Sequence, residues 1–177
     1  MEEARSIQQA REGDSAAFAR LVRTYETSVY NLTYRMLGDR VEAEDAAQET
    51  FLKVFQNLER YDPGRSFRTW LLSIAAHHCV DRLRRRRPTL PLKEAFHRSG
   101  GPDPEASLMR KESQERIQRL LMCLKPTDRA AVTLLYWYDC SYEEIAEMLD
   151  TTVSAVKSRL YRARRALAGW LTEYRGE

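Results

Sequence analysis

No stretch of this 177-residue chain is apolar enough to cross a bilayer, since none approaches the ~18 consecutive apolar residues that a span needs. The opening MEEARSIQQAREGD is too polar for a secretory leader. Together these absences predict a cytoplasmic protein with no membrane insertion. Cysteine is scarce: Cys79, Cys123 and Cys140 have no paired spacing, which argues against a disulfide framework and fits reduced thiols. Glycine is scarce too, and the chain holds no glycine-rich phosphate loop, no nucleophile motif and no second Cys/His cluster. An enzyme is therefore not expected, nor a cofactor or a metal. His77, His78 and Cys79 are adjacent, but neighbouring helical residues point about 100° apart, so the three cannot close one tetrahedral site. Period-two strands are missing as well. The most strand-like run, TLLYWYD at 133–139, also fits a helical frame of Ala131, Leu134, Leu135 and Tyr138.

What is present is helical periodicity cut by breakers. Phe18, Leu21, Val22, Tyr25, Val29, Leu32 and Met36 form one stripe that Gly38 ends. Asp39 is placed to cap a second helix with stripe Ala47, Phe51, Val54, Phe55 and Leu58. Asp62-Pro63-Gly64 is a turn, and Ser66 can cap a third helix, apolar on several sides and so buried among neighbours. Four of the six prolines (Pro88, Pro91, Pro102, Pro104) and Gly100-Gly101 then fall within 17 residues, which predicts a flexible linker over 89–110. Beyond it come a stripe of Ile117, Leu120, Leu121 and Leu124, a helix over about 127–138, and a final helical pair. The expected fold is all-α: two small helical domains, 10–88 and 111–174, joined by the linker.

Net charge is only +3, but it is segregated. Residues 39–62 hold seven acids against three bases, 82–87 hold five arginines, and 153–175 carry six bases against Glu173 alone. Such segregation implies surfaces with different partners, two of them suited to phosphate.

The final pair is the most informative segment. Residues 141–165 read SYEEIAEMLDTTVSAVKSRLYRARR. Ser141 and Glu144 have capping-box spacing, Tyr142, Ile145, Ala146 and Leu149 share one face, and Thr152 can cap the next helix. On that helix Val156, Leu160, Ala163 and Leu167 lie on one side, with Ser154, Lys157, Ser158, Tyr161 and Arg162 opposite. This is the layout of a helix-turn-helix whose second helix enters the major groove. Asp150 stands where a turn glycine is common, and tolerates a left-handed backbone better than most residues.

In the first lobe, AEDAAQETFLKVFQNLERYDPGRSFRTWLLSIAAHHCVDRLRRRRP resembles the second conserved region of extracytoplasmic-function sigma factors. Residues 111–170, with SYEEIA and VKSRLYRAR, resemble their fourth region. The resemblance implies a dissociable promoter-specificity subunit of bacterial RNA polymerase. It implies that Ser154, Lys157, Ser158, Tyr161, Arg162 and Arg165 contact a duplex minus-thirty-five element. Capture of the melted minus-ten element falls to the loop and helix bearing Asp62, Gly64, Arg65, Ser66, Phe67, Trp70 and His77, and to Arg82, Arg84 and Arg85 for phosphates. His77 stands where the family often has Asn, and Phe67 and Trp70 fit core packing as well as stacking. Asp45, Gln48 and Glu49 are implied to dock on the clamp helices of the largest polymerase subunit, although a solvated acidic face is the plain alternative. The fourth-region lobe would engage the flap of the second-largest subunit, and an anti-sigma factor is the expected inhibitor. An ordinary helix-turn-helix regulator is the other reading, but it leaves the acidic helix and the loop unexplained.

Overall fold

The computed structural model of the chain describes the backbone of residues 2–86 and 106–173, with side chains over 2–86 and 114–169. The expected linker prolines and glycines lie outside the described residues. Within them the chain forms eight α-helices and no strand: α1 Glu2–Arg11, α2 Ser15–Leu37, α3 Arg40–Asn57, α4 Phe67–Arg85, α5 Ala106–Met122, α6 Pro126–Tyr138, α7 Tyr142–Met148 and α8 Val153–Glu173. The all-α expectation is met. Two differences stand out. Helix α1 precedes the first predicted stripe, and α5 reaches back to Ala106, into the segment expected as linker.

The helix boundaries follow local chemistry. Asp14 accepts from the amides of Ala16 and Ala17 at 2.8 and 3.1 Å and starts α2. Gly38 ends α2 in the left-handed region at φ +80°. Asp39 caps α3 through the Glu42 amide at 2.9 Å, and Ser66 caps α4 through the Thr69 amide at 3.4 Å. Between α3 and α4 a short 3-10 turn, Leu58–Arg60, leads into the loop at 62–66.

The first lobe packs α1 to α4 around Leu21, Val29, Leu32, Val54, Leu71 and Leu72, all buried. The second packs α5 to α8 around Leu134, Ile145, Met148, Val156 and Leu160. One apolar core runs through both lobes. Their junction is built on the C-terminal end of α2, whose last carbonyls have no partner within that helix. Gln118 Nε2 donates to Tyr34 O at 3.0 Å and Arg35 O at 3.3 Å. The Arg129 guanidinium, 5% exposed, donates to Met36 O and also to Met122 O and Leu124 O at 3.1 and 3.0 Å. Burial pulls its pKa down to about 10, with nearby Arg86 adding to the effect, so it stays charged at neutral pH. The Tyr138 hydroxyl donates to Ser28 O at 2.6 Å, and Arg35 lies 4.8 Å from the Trp137 ring centre.

Gly38 is required twice over at this junction. A Cβ there would sit 2.7 Å from Met122 Sδ, on a backbone that side chains avoid. Gly38→Ala is expected to cost about 1–2 kcal/mol, read as a lowered urea midpoint with an unchanged slope.

Candidate nucleic-acid interface

Three surfaces carry the sequence-predicted residues. The first is α8. The Ser141–Glu144 capping box forms in full, at 3.1 Å from the Glu144 amide to Ser141 Oγ and 2.7 Å from the Ser141 amide to Glu144 Oε2. Asp150 adopts φ +47°, and the Thr151 amide closes the turn on Ala146 O at 2.9 Å. Thr152 Oγ1 accepts from the Ala155 amide at 3.1 Å and starts α8. Val156, Leu160 and Ala163 are buried, which turns Ser154, Lys157, Ser158, Tyr161, Arg162 and Arg165 outward as one exposed face. Tyr161 is 61% exposed, with the Arg165 guanidinium 5.9 Å from its ring centre. Arg162 is not idle on this face: it makes a bidentate pair with buried Asp128 at 2.7 and 3.2 Å, which raises its pKa. That pair ties α8 to α6, and a base contact by Arg162 would compete with it.

The second surface is the loop at 62–66. Asp62 Oδ1 accepts from the Gly64 amide at 2.8 Å, and the Arg65 amide donates to Asp62 O at 3.0 Å. A Cβ on Gly64 would approach Asp62 Oδ1 to 3.2 Å, so the tight turn favours glycine. The Tyr61 hydroxyl spans the loop and donates to Arg65 O at 2.5 Å. Of the two roles open to Phe67, stacking and core packing, its burial favours the second. Its ring is 3% exposed, with Tyr25, Tyr61 and Trp70 at centroid distances of 5.6, 5.4 and 5.8 Å, and it is the floor under the loop. Trp70 is partly buried in the same cluster, packed on Tyr61 at 5.1 Å. Ser66 is exposed, although its hydroxyl also caps α4. Arg65 reaches across to Glu147 on α7 at 3.0 Å, and Arg68 donates to Tyr138 O at 3.2 Å, so the second lobe lies against the loop. On α4, His77 is exposed, with Nδ1 2.9 Å from Ser73 O, and Arg84 and Arg85 are exposed. Burial raises the Cys79 thiol to about 12, so it stays protonated. Among the described residues no group of His, Cys, Asp and Glu is arranged to hold a metal ion.

The third surface is α3. Asp45, Gln48 and Glu49 project outward, but the carboxylates are not free. Asp45 pairs with Arg82 at 2.7 Å, Glu49 lies 3.0 Å from His78 Nε2, and Glu42 pairs with Arg86. Burial and adjacent Lys53 lower the His78 pKa, against the pull of Glu49. Arg82, predicted for phosphate, is thus held by the acidic face. Sequence reading placed Phe55 in the core stripe, yet it is 51% exposed, and Leu52 is 61% and Val41 75% exposed. Val41, Asp45, Gln48, Leu52 and Phe55 follow a 4-3-4-3 spacing, the signal that marks a second, outward face. In the second lobe an apolar groove of about 250 Å³ opens between α5, α6 and α8, lined by Ile117, Leu120, Val132, Tyr136, Leu160 and Leu167.

Comparison with known proteins agrees with this anatomy. Residues 21–89 match Sigma-70 region 2 and residues 114–167 match Sigma-70, region 4. The ECF RNA polymerase sigma factor SigW of Bacillus subtilis (strain 168) is 37% identical over 172 residues, spanning 91% of this chain and 92% of the relative. The ECF RNA polymerase sigma-E factor of Escherichia coli (strain K12) is 31% identical over 172 residues, spanning 91% and 90%. In three dimensions the fold is similar to that of CnrH in its complex with the cytosolic domain of CnrY, at TM-score 0.73 and 24% identity over 98% of this chain and 99% of the other. It is also similar to the sigma factor RpoE in complex with the anti-sigma factor NepR from Bartonella quintana, at TM-score 0.68 and 20% identity over 88% and 96%.

Proposed function

From the premise that this chain belongs to the extracytoplasmic-function sigma factors of RNA polymerase, we propose that it binds core polymerase through α3 and reads a promoter at two points. The carrying observation is one exposed face on a capped helix-turn-helix, where Ser154, Lys157, Ser158, Tyr161 and Arg165 stand clear of the core. Lys157 and Arg162 supply donors for guanine edges or phosphates, Ser158 donates or accepts, and Tyr161 adds ring contact. This face reads the minus-thirty-five element as duplex.

The loop at 62–66 takes the flipped base of the minus-ten element. Asp62, Arg65 and Ser66 offer donors and acceptors, Gly64 allows close backbone approach, and Arg82, Arg84 and Arg85 follow the phosphates. Phe67 supports the loop from below. The polymerase carries out all nucleotide chemistry, and the factor contributes recognition alone. On α3, Asp45, Gln48 and Glu49 meet the polymerase clamp together with exposed Leu52 and Phe55, an apolar centre with a charged rim. The groove beside α6 receives the flap. The factor works beside the polymerase in the cytoplasm, with domain limits near 10–88 and 111–174.

Promoter binding at two separated elements requires the lobes to part, which the Arg65–Glu147 and Arg68–Tyr138 contacts oppose. An anti-sigma factor acts by holding the docked form, a reading supported by the two structural relatives, one in complex with the cytosolic domain of CnrY and the other with the anti-sigma factor NepR.

Run-off transcription with purified core polymerase tests the proposal. Initiation from a selected promoter is expected only when this chain is added, and initiation that needs another sigma factor would point to an ordinary regulator. Lys157→Ala and Arg162→Ala are each expected to weaken minus-thirty-five binding by about 1–3 kcal/mol where the contact is bidentate to a base, or to lower the salt slope by about one where it is to phosphate. Unchanged promoter-specific transcription in both variants removes this face from the reading.

A further inference from the structure

Helix α1 precedes the region-2 match, which begins at residue 21. It is mostly polar, yet it is held firmly. Ser6, Ile7 and Ala10 are buried, and Arg20 donates to Gln9 Oε1 at 2.8 Å and to Ser6 Oγ at 3.5 Å. Its two ends reach opposite sides of the loop at 62–66. At the C-terminal end, Arg11 Nη2 donates to Glu59 O at 3.2 Å, inside the 3-10 turn that feeds the loop. At the N-terminal end, Glu3 accepts from the Tyr25 hydroxyl, and the Tyr25 ring packs on Phe67. Phe67 supports Tyr61, and the Tyr61 hydroxyl holds Arg65 O. Two chains of contact therefore run from α1 to the loop, one through its entrance and one through its aromatic floor.

We infer that α1 is a brace that fixes the geometry of the base-capturing loop, with Arg11, Glu3 and Tyr25 as positioning residues for minus-ten selectivity. The inference rests on the reading of that loop as the base-capturing element. Burial of Ile7 and Ala10 holds α1 on the lobe, whereas the Arg11 and Glu3 contacts are exposed hydrogen bonds that add little to stability. A pocket that discriminates between bases must hold its donors to within about 0.5 Å, a tolerance that a loop fixed only by its own turn does not secure. Both anchors touch parts that set where the loop sits, not the atoms that would meet a base.

The test uses holoenzyme reconstituted with core polymerase. The probes are a non-template single strand carrying a minus-ten sequence selected by the wild-type holoenzyme, and the same strand with the captured base replaced. The readout is the ratio of the two affinities. Arg11→Ala combined with Tyr25→Phe, which keeps the ring, is expected to lower that ratio by about tenfold. Affinity for a minus-thirty-five duplex and the urea midpoint should stay near wild type, and Arg11→Lys should keep most of the selectivity because it can still donate to Glu59 O. An unchanged ratio in the double variant overturns the inference, including the case where only the urea midpoint falls. No discrimination by the wild-type holoenzyme overturns the loop reading itself, and the brace with it.

Discussion

Asp45→Arg combined with Glu49→Arg is expected to abolish association with core polymerase while both lobes remain folded. The two carboxylates stand on the exposed face of α3 beside Leu52 and Phe55, so reversal replaces attraction with repulsion along the charged rim of the proposed contact. Like-charge juxtaposition across an interface costs several kcal/mol, so a loss of about a hundredfold or more follows. The internal consequence is smaller. Arg82 loses Asp45 and His78 loses Glu49, and partly exposed ion pairs of this kind contribute about 0–1 kcal/mol each. Circular dichroism and the urea midpoint should therefore change little. Co-purification of the folded variant with core enzyme at wild-type yield would remove α3 as the docking face. Leu52→Ala with Phe55→Ala provides a charge-neutral check, since it removes apolar area and leaves the acids in place.

Arg129→Ala is expected to destabilise the whole chain by about 3–5 kcal/mol, because three carbonyls satisfied by one buried cation are left without it. Marginal proteins hold only about 5–15 kcal/mol in total, so the variant should lose much of its resistance to urea. The effect should extend to the other lobe: amide exchange should quicken at the C-terminal end of α2, where Met36 O is released. Gln118→Ala should act in the same direction with a smaller effect, because its carbonyl partners lie at a more exposed site. A change below about 1 kcal/mol for Arg129→Ala would mean that the lobes are not joined in solution through the end of α2.

Several elements were legible in the chain because their determinants are local. Capping geometry at Asp39, Ser66, Ser141 and Thr152 depends on one side chain and an amide two or three residues on, and each formed as spaced. The left-handed turn at Asp150 likewise follows from a residue type and a gap between two stripes. Helix α1 was not legible, because a polar decapeptide with buried Ile7 and Ala10 carries too weak a stripe to stand out. Phe55 misled for the opposite reason: apolar identity put it in a core stripe, whereas rotation about α3 leaves it half exposed beside Leu52. For Phe67 the chain left stacking and core packing both open, since the choice depends on Tyr25 and Tyr61 arriving from elsewhere in the chain.

By itself the sequence determined the all-α class, the helix-turn-helix with its outward face, the acidic helix and the resemblance that placed the chain among sigma factors. These rest on periodicity and spacing within tens of residues. Only the tertiary structure decided what those charges do while no partner is bound. Asp45 holds Arg82, Asp128 holds Arg162, Glu147 holds Arg65, and Arg129 closes one lobe on the end of a helix in the other. Each pairing joins residues more than 30 positions apart, and attraction between such groups falls off over a few ångströms in water. Which charge finds which partner is therefore set by how the helices pack, and sequence spacing carries no record of it.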